Sequence, residues 1–324
     1  MNVPVSGTDF ISRRSVMLAS AIAVVAAAVS AQEAGRVHRL GFVVQPPRSN
    51  FAAMFDELRK RGFIEGQNLS VDPRGFSVPA DRLDDAAVEV VKAGPDVIYA
   101  GGTAAGRAVQ RATRTTPIVV TGNDMVRAHL VSSLAHPGGN VTGVSILSSE
   151  LDSKRLELLT ESVPGVSRIA ALVDPETTSP DQIEALVSTA RALGVTLSIH
   201  RAVTAEDVAP AIEAARAAGA QAIDVPASAL FHTKRAMIIT RMAEAKLPAV
   251  YQWPEYGQDG ALICYGPPIQ SARLIAEIFR GSKPADLPVE QPTHIKLVVN
   301  LKTAKELGLN IPQSILARAD EVIE

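Results

Sequence analysis

Residues that could bind a small molecule recur at or near the ends of the apolar, strand-like runs of this sequence. In open α/β sheets, ligands bind beyond the carboxyl ends of the strands, so these positions are the predicted ligand contacts. In the first half of the chain they are Gln45, Gly102, Thr103, Ala104, Ala105, Asn123, Asp124 and Ser145. In the second half they are Asp174, Asp224, Trp253 and Tyr256.

The turn after the third predicted strand reads Gly101-Gly102-Thr103-Ala104-Ala105-Gly106. Its glycines let a ligand approach the backbone, and the free N–H groups of the following helix would suit a carboxylate. Thr103 could equally serve as an ordinary helix cap, and the two roles are compatible. The glycine spacing matches a phosphate loop, but Arg107-Ala108 stands where Lys-Ser or Lys-Thr is required, so nucleotide hydrolysis is not predicted.

The polar-tipped aromatic residues are concentrated in one stretch. The single Trp and three of the four Tyr fall between positions 251 and 265, as Tyr251, Trp253, Tyr256 and Tyr265. Aromatic rings with a polar atom suit a wet cleft that holds an organic ligand. The alternative is that they pad a lobe surface or the contact between lobes.

Signatures of catalysis are missing from the sequence. It contains neither a Gly-x-Ser-x-Gly nucleophile elbow nor a dinucleotide-binding glycine motif after the first strand, and its six His are scattered. The only cysteine, Cys264, cannot form an intramolecular disulfide and is interpreted as a small buried apolar side chain. We therefore expect no enzyme activity, cofactor or metal. A pI near 6.3 also argues against a nucleic-acid partner.

Short apolar runs alternate with helical patterns along the chain, which predicts the α/β class with parallel sheets. The alternation restarts after the turn at Gly138-Gly139-Asn140, indicating two Rossmann-like lobes joined by a hinge. The expected N-terminal lobe is discontinuous, residues 36–143 plus 266–298, and the C-terminal lobe spans 144–265. Residues 299–324 form a C-terminal tail that the pattern assigns to neither lobe.

The N-terminus predicts export. Residues 1–31 contain Arg13-Arg14, an apolar run from Val16 to Val29, and small residues before Gln32. This is typical of a secretory signal peptide, and the pattern around the arginine pair also fits a twin-arginine signal. The segment offers no cysteine for lipid attachment.

Five segments resemble one protein family. They are residues 63–68 (FIEGQN), 133–145 (SLAHPGGNVTGVS), 284–293 (PADLPVEQPT), 300–305 (NLKTAK) and 316–323 (LARADEVI). Together they resemble the ABC-transporter substrate-binding proteins of the tryptophan/tyrosine-binding type. The chain departs from the family pattern at Cys264, where Ser is usual, and in the helix over 271–280, which is shorter than usual.

The resemblance implies a type I periplasmic binding fold that closes on a small molecule and delivers it to an ABC permease in the inner membrane. It implies a monomer in the periplasm that binds a carboxylate-bearing ligand such as an amino acid, including aromatic ones. The family's Gly-Thr-x-Ala turn maps onto Gly102, Thr103 and Ala105, and its hinge onto residues 143–145. Two alternatives stay open: a ligand sensor of the same fold signalling to a membrane partner, and an exported enzyme.

Overall fold

The computed structural model describes residues 36–146, 148–268 and 271–324, so the expected signal segment 1–31 lies outside it. The first sheet has the order β2-β1-β3-β4-β5 and is parallel throughout. Its strands are β1 (His38–Val43), β2 (Leu69–Val71), β3 (Val97–Gly101), β4 (Ile118–Asn123) and β5 (Val141–Ile146).

The second sheet has the order β12-β11-β10-β9-β8-β6-β7. Its strands are β6 (Arg168–Val173), β7 (Thr196–Arg201), β8 (Ala222–Val225), β9 (Ala249–Tyr251), β10 (Ile263–Gly266), β11 (Lys296–Asn300) and β12 (Glu321–Ile323). β10 and β11 pair antiparallel, while the other neighbours are parallel. The two sheets confirm the predicted α/β class with two lobes.

Helices cover both faces of each sheet. Strands buried on two sides have continuous apolar sequences, as in the Ile169–Val173 part of β6. The helices are α1 (Ala52–Lys60), α2 (Leu83–Lys92), α3 (Thr103–Ala112), α4 (Ser148–Ser162), α5 (Pro180–Ala192), α6 (Ala205–Ala217), α7 (Ala229–Thr233), α8 (Arg235–Glu244), α9 (Ala272–Phe279), α10 (Leu301–Glu306) and α11 (Gln313–Leu316). Within the described residues, none of them is long and apolar enough to cross a bilayer.

The structure corrects the expected lobe boundaries. β5 stays in the first sheet up to Ile146, so a division between residues 143 and 144 would cut a strand. The expected return of 266–298 to the first lobe is right for α9, whose Leu274 and Ile275 are buried in that lobe's core. It is wrong for β11, which pairs with β10 of the second sheet. Residues 299–324 also belong to the second lobe, through β12.

Residues 143–145, which the resemblance assigned to the hinge, lie inside β5. Gly143 packs so closely against β4 that a Cβ there would stand 1.9 Å from the carbonyl oxygen of Val120. Its lack of a side chain therefore serves strand packing. The chain passes between the sheets after β5, after β10 and before β11.

Candidate functional site

A cavity lies between the two lobes, at the carboxyl ends of strands from both sheets, where ligands bind in open α/β folds. It opens to solvent, and about 630 Å³ of empty space lies within it and its mouth together. From the first lobe it is lined by Phe51, Tyr99, Gly102, Thr103, Thr121 and Asn123. From the second lobe it is lined by Thr177, Ala227, Ser228, Ala229, His232 and Trp253.

A chain of hydroxyl groups forms the first-lobe wall. The phenol of Tyr99 donates a hydrogen bond to Oγ1 of Thr121 at 3.1 Å, and that oxygen lies 2.7 Å from Oγ of Ser271. Ser271 stands just before α9, so this chain links the cavity to the returning segment. Burial raises the pKa of Tyr99, which keeps the phenol protonated and able to donate.

The N-terminus of α3 points to the cavity without a side-chain cap. Gly102 is the N-cap residue, with φ of 105°, a conformation that favours glycine. Thr103 is the first helical residue, and its hydroxyl donates instead to the carbonyl of Asn123 at 3.4 Å, so a capping role for Thr103 is wrong. Because α3 has no side-chain cap within the described part of the chain, the N–H groups of its first turn could hold an anionic ligand group.

The second-lobe wall is built on Ser228, which precedes α7. Its hydroxyl donates to Oδ2 of Asp174 at 2.6 Å and accepts from the N–H of Phe231 at 3.2 Å. The other carboxylate oxygen of Asp174 accepts from the N–H of Glu176 at 3.0 Å. Asp174 is 4% exposed, so it positions Ser228 from behind the wall.

An aromatic wall completes the second-lobe side. Nδ1 of His232 lies 2.6 Å from the phenol oxygen of Tyr256, and the ring of His232 meets the edge of Trp253 at a centroid distance of 6.2 Å. Burial, aided by the nearby charge of Arg235, lowers the pKa of His232 to about 4. His232 is therefore neutral at physiological pH and presents an uncharged imidazole to the cavity.

Two contacts join the lobes across the cleft. The side-chain amide of Asn123 donates to the carbonyl of Thr177 at 3.1 Å. Arg127, in the loop after β4, forms an ion pair with Asp181 at the start of α5. The lobes therefore touch at the rim of the cavity, with both contacts placed to favour a closed arrangement.

A second, more polar space adjoins the cavity, and we call it the outer opening. Thr103, Asn123, Ile146 and Thr177 line both spaces. The outer opening alone carries charged side chains, which are Arg107, Asp124, Arg127, Glu150 and Glu176.

The structure brings some of the sequence-predicted contacts together at the cavity: Gly102, Thr103, Asn123 and Trp253. Asp124 and Ser145 line the outer opening instead. Oγ of Ser145 accepts from the N–H of Met125 at 3.3 Å, which gives it a structural partner.

Other predicted contacts lie elsewhere. Ala105 is buried in the first-lobe core, Ala104 is exposed on α3, and Gln45 precedes Pro46 without lining the cavity itself. Asp174 and Tyr256 stand behind the wall, each bonded to a residue that does line it.

Asp224 is the clearest departure from the predicted site. It is fully buried on β8, with its Oδ1 4.0 Å from Nε of Arg155, and does not line the cavity. Its position in the middle of a buried strand, rather than after it, is the physical reason.

The predicted aromatic cluster is divided in the same way. Tyr251 and Tyr256 are buried in the second-lobe core, and only Trp253 of the group lines the cavity. The tyrosine that does line it is Tyr99, outside the cluster. Tyr99 precedes Gly101 by two positions on β3, so strand alternation places both on one face, a signal that could have found it.

Two lining residues, Ser228 and His232, are not among the predicted contacts, although Ser228 belongs to the strand-end positions from which the contacts were chosen. Ser228 follows β8 and carries the signal of a helix cap, whereas His232 reads as one scattered histidine among six. Three or more His, Cys, Asp or Glu arranged to hold a metal do not occur anywhere in the described ranges.

Comparison with known proteins agrees with this architecture. The family model described as ABC transporter substrate binding protein matches residues 48–323. A tyrosine-binding protein of Clostridioides difficile strain R20291 is 27% identical over 259 residues, 78% of this chain and 74% of that protein.

Two solved structures share the fold. A conserved domain protein from Vibrio cholerae O1 biovar eltor has 29% identity and a TM-score of 0.77, covering 89% of this chain and 99% of its own. An ABC domain from Streptococcus pneumonia in complex with L-Trp has 24% identity and a TM-score of 0.76, covering 89% and 100%. The two-lobed cavity and a family match across most of the sequence lead to one conclusion: this chain belongs to the ABC transporter substrate-binding protein family.

Proposed function

We propose that this protein is the solute-capturing component of an ABC importer and holds a small, carboxylate-bearing ligand between its lobes. It works outside the cytoplasm, after export through the signal of residues 1–31, and delivers the ligand to a membrane permease. The observation that carries the proposal is the cavity itself, which is lined by both lobes at their strand ends and bridged at its rim by Asn123 and Arg127.

Different residues of the cavity would bind the carboxylate and the apolar part of the ligand. The uncapped first turn of α3 at Gly102 and Thr103 would hold the carboxylate, since free N–H groups and the helix dipole both favour an anion. Trp253, Phe51 and Ile146 provide apolar surface for the rest of the ligand. Ligand contacts to both lobes would favour the closed arrangement over an open one, because only the closed form offers both sets.

The relatives narrow the candidate ligands. One is named for tyrosine and another holds L-Trp, so small carboxylates with an aromatic or apolar body are the first to test. The aromatic and aliphatic lining of this cavity is compatible with such a body.

Trp253 gives the test a direct signal, because it is the only tryptophan of the chain and lines the cavity. Titration of the purified protein with a carboxylate panel should change its fluorescence and raise its melting temperature. A ligand at one hundred times its Kd should add about 2.7 kcal/mol to the free energy of unfolding. Native mass spectrometry of the exported protein should also reveal a co-purified small molecule.

A variant without the tryptophan distinguishes ligand binding from the fluorescence signal that reports it. Trp253→Phe should lose the fluorescence signal while still showing a ligand-dependent rise in melting temperature. Absence of any thermal shift across carboxylates, peptides and sugars would contradict the proposal. Recovery of the protein outside the cytoplasm with a new N-terminus near residue 32 would test the export step.

A further inference from the structure

Among the described residues, the cavity between the lobes is lined without any ionised side chain. Its polar side chains are those of Tyr99, Thr103, Thr121, Asn123, Thr177, Ser228 and His232. The short stretches at the lobe crossings that the structure leaves undescribed are Leu147 and Ile269-Gln270, none of which is ionisable. A charged ligand group would therefore meet only neutral partners on the walls.

These neutral groups are poor partners for a ligand ammonium group. Oγ of Ser228 already donates to Asp174 and accepts from a backbone N–H. The carboxylate of Asp174 lies behind the wall, where it is 4% exposed and accepts from the hydroxyl of Ser228 and the N–H of Glu176. Burying an ammonium without an anionic partner costs several kcal/mol.

The outer opening does not supply the missing anion either. Its carboxylates, on Asp124, Glu150 and Glu176, are all exposed to solvent. An ion pair with an exposed carboxylate contributes little, since both charges stay hydrated. The residues that divide this opening from the cavity, including Thr103 and Thr177, are uncharged.

We infer that the cavity selects a carboxylate without an α-ammonium group, that is, an aromatic or apolar organic acid in preference to the corresponding amino acid. This inference rests on the proposed function, because it specifies the ligand of the same cavity. It separates this chain from relatives named for tyrosine or solved with L-Trp.

Matched ligand pairs that differ in the ammonium group test the inference. The pairs are L-tyrosine with 3-(4-hydroxyphenyl)propanoate, L-tryptophan with indole-3-propanoate, and L-leucine with 4-methylpentanoate. Isothermal titration calorimetry on the full-length mature protein should give at least about tenfold tighter binding of the acid than of the amino acid in each pair that binds.

One substitution should reverse the preference. Ala229 is a half-buried lining residue at the start of α7, opposite Gly102, where a Cβ would lie 4.0 Å from that of Ala229. Ala229→Asp adds a carboxylate to the wall, and Ala229→Asn adds the same shape without charge. Because Ala229 adjoins the predicted carboxylate end, the added charge should weaken binding of both ligands of a pair. Relative to Ala229→Asn, Ala229→Asp should still shift the affinity ratio at least about tenfold toward the amino acid.

The outcomes distinguish failure of this inference from failure of the proposed solute-binding function. Equal or tighter binding of the amino acids by the wild-type protein would overturn the inference and leave the binding function standing. An unchanged ratio in a folded Ala229→Asp protein, checked by its melting temperature, would also overturn it. Binding of neither member of any pair would overturn the inference, and absence of a thermal shift across the wider panel of carboxylates, peptides and sugars would overturn the function as well.

Discussion

Replacing Asp224 by Asn should make the protein more stable at neutral pH, although Asp224 is buried beside an arginine. Asp224 is fully buried, and neither of its carboxylate oxygens has a hydrogen-bond partner among the described residues. Nε of Arg155 is 4.0 Å away, while the guanidinium itself pairs with Asp152 and donates to the carbonyl of Tyr265. Burial raises the pKa of Asp224 from 3.8 to about 8, the charge of Arg155 opposes this, and Asp152 adds to it.

The sign of the pH effect follows from the two states of the chain. Between pH 4 and pH 8 the folded protein keeps a proton on Asp224, whereas the unfolded chain releases it near 3.8. Rising pH in this window therefore favours unfolding, by up to about 1.4 kcal/mol for each pH unit. The asparagine of the variant carries no such proton, so the stability difference between variant and wild type should grow by about 2.5–3 kcal/mol from pH 5 to pH 7.

Urea unfolding of both proteins at pH 5, 6 and 7 measures this difference directly. Asp286→Asn is the matched control, because Asp286 is exposed and its replacement should leave the pH dependence unchanged. Parallel pH profiles for wild type and Asp224→Asn would refute the reasoning and indicate a charged, compensated Asp224. Ligand affinity should also be unaffected by Asp224→Asn, since the residue does not line the cavity.

Three further predictions concern the cleft. Arg127→Ala removes the exposed ion pair to Asp181, worth at most about 1 kcal/mol, so calorimetry should show ligand binding weakened by no more than about fivefold, with unfolding free energy unchanged. Because His232 stays neutral above its pKa of about 4, affinity should be constant from pH 5.5 to 8, and a fall below pH 7 would contradict this. Gly102→Val forces a β-branched residue to φ of 105°, so urea unfolding should show a free energy of unfolding lower by about 1–3 kcal/mol. Gly139→Val is the control, because a Cβ at Gly139 meets open space and should leave that free energy nearly unchanged.

The fold was largely predictable from the sequence because buried parallel strands read as uninterrupted apolar runs between helical patterns. What the pattern could not supply was the partner of each strand. β11 is apolar on both faces, so its sequence fits a place in either sheet, and only its antiparallel pairing with β10 assigns it to the second lobe. The boundary at residue 143 followed the hinge that the resemblance implied at residues 143–145, but Gly143 lies inside β5 and packs closely against β4.

The site was predictable where a residue follows a strand and not where it is part of one. Thr103 and Trp253 follow strands and reach the cavity, whereas Tyr99 lines it from within β3 and was not predicted. Asp224 lies within β8 and is buried. Composition also misled the prediction of the aromatic cluster, because a small number of aromatic residues does not show whether they contact a ligand or pack in a core.

The chemistry of the cavity depends on what stands behind its walls as much as on what lines them. Asp174 carries a carboxylate, yet it is 4% exposed and stands behind Ser228, whose hydroxyl donates to it. His232 could carry a positive charge, yet burial keeps it neutral. The uncapped turn at Gly102 remains among the neutral polar groups of the cavity, and its helix dipole favours an anion. A motif search that counts ionisable residues near strand ends would predict a charged site, whereas hydrogen-bond partners and burial make it a neutral one with a single anion-binding end.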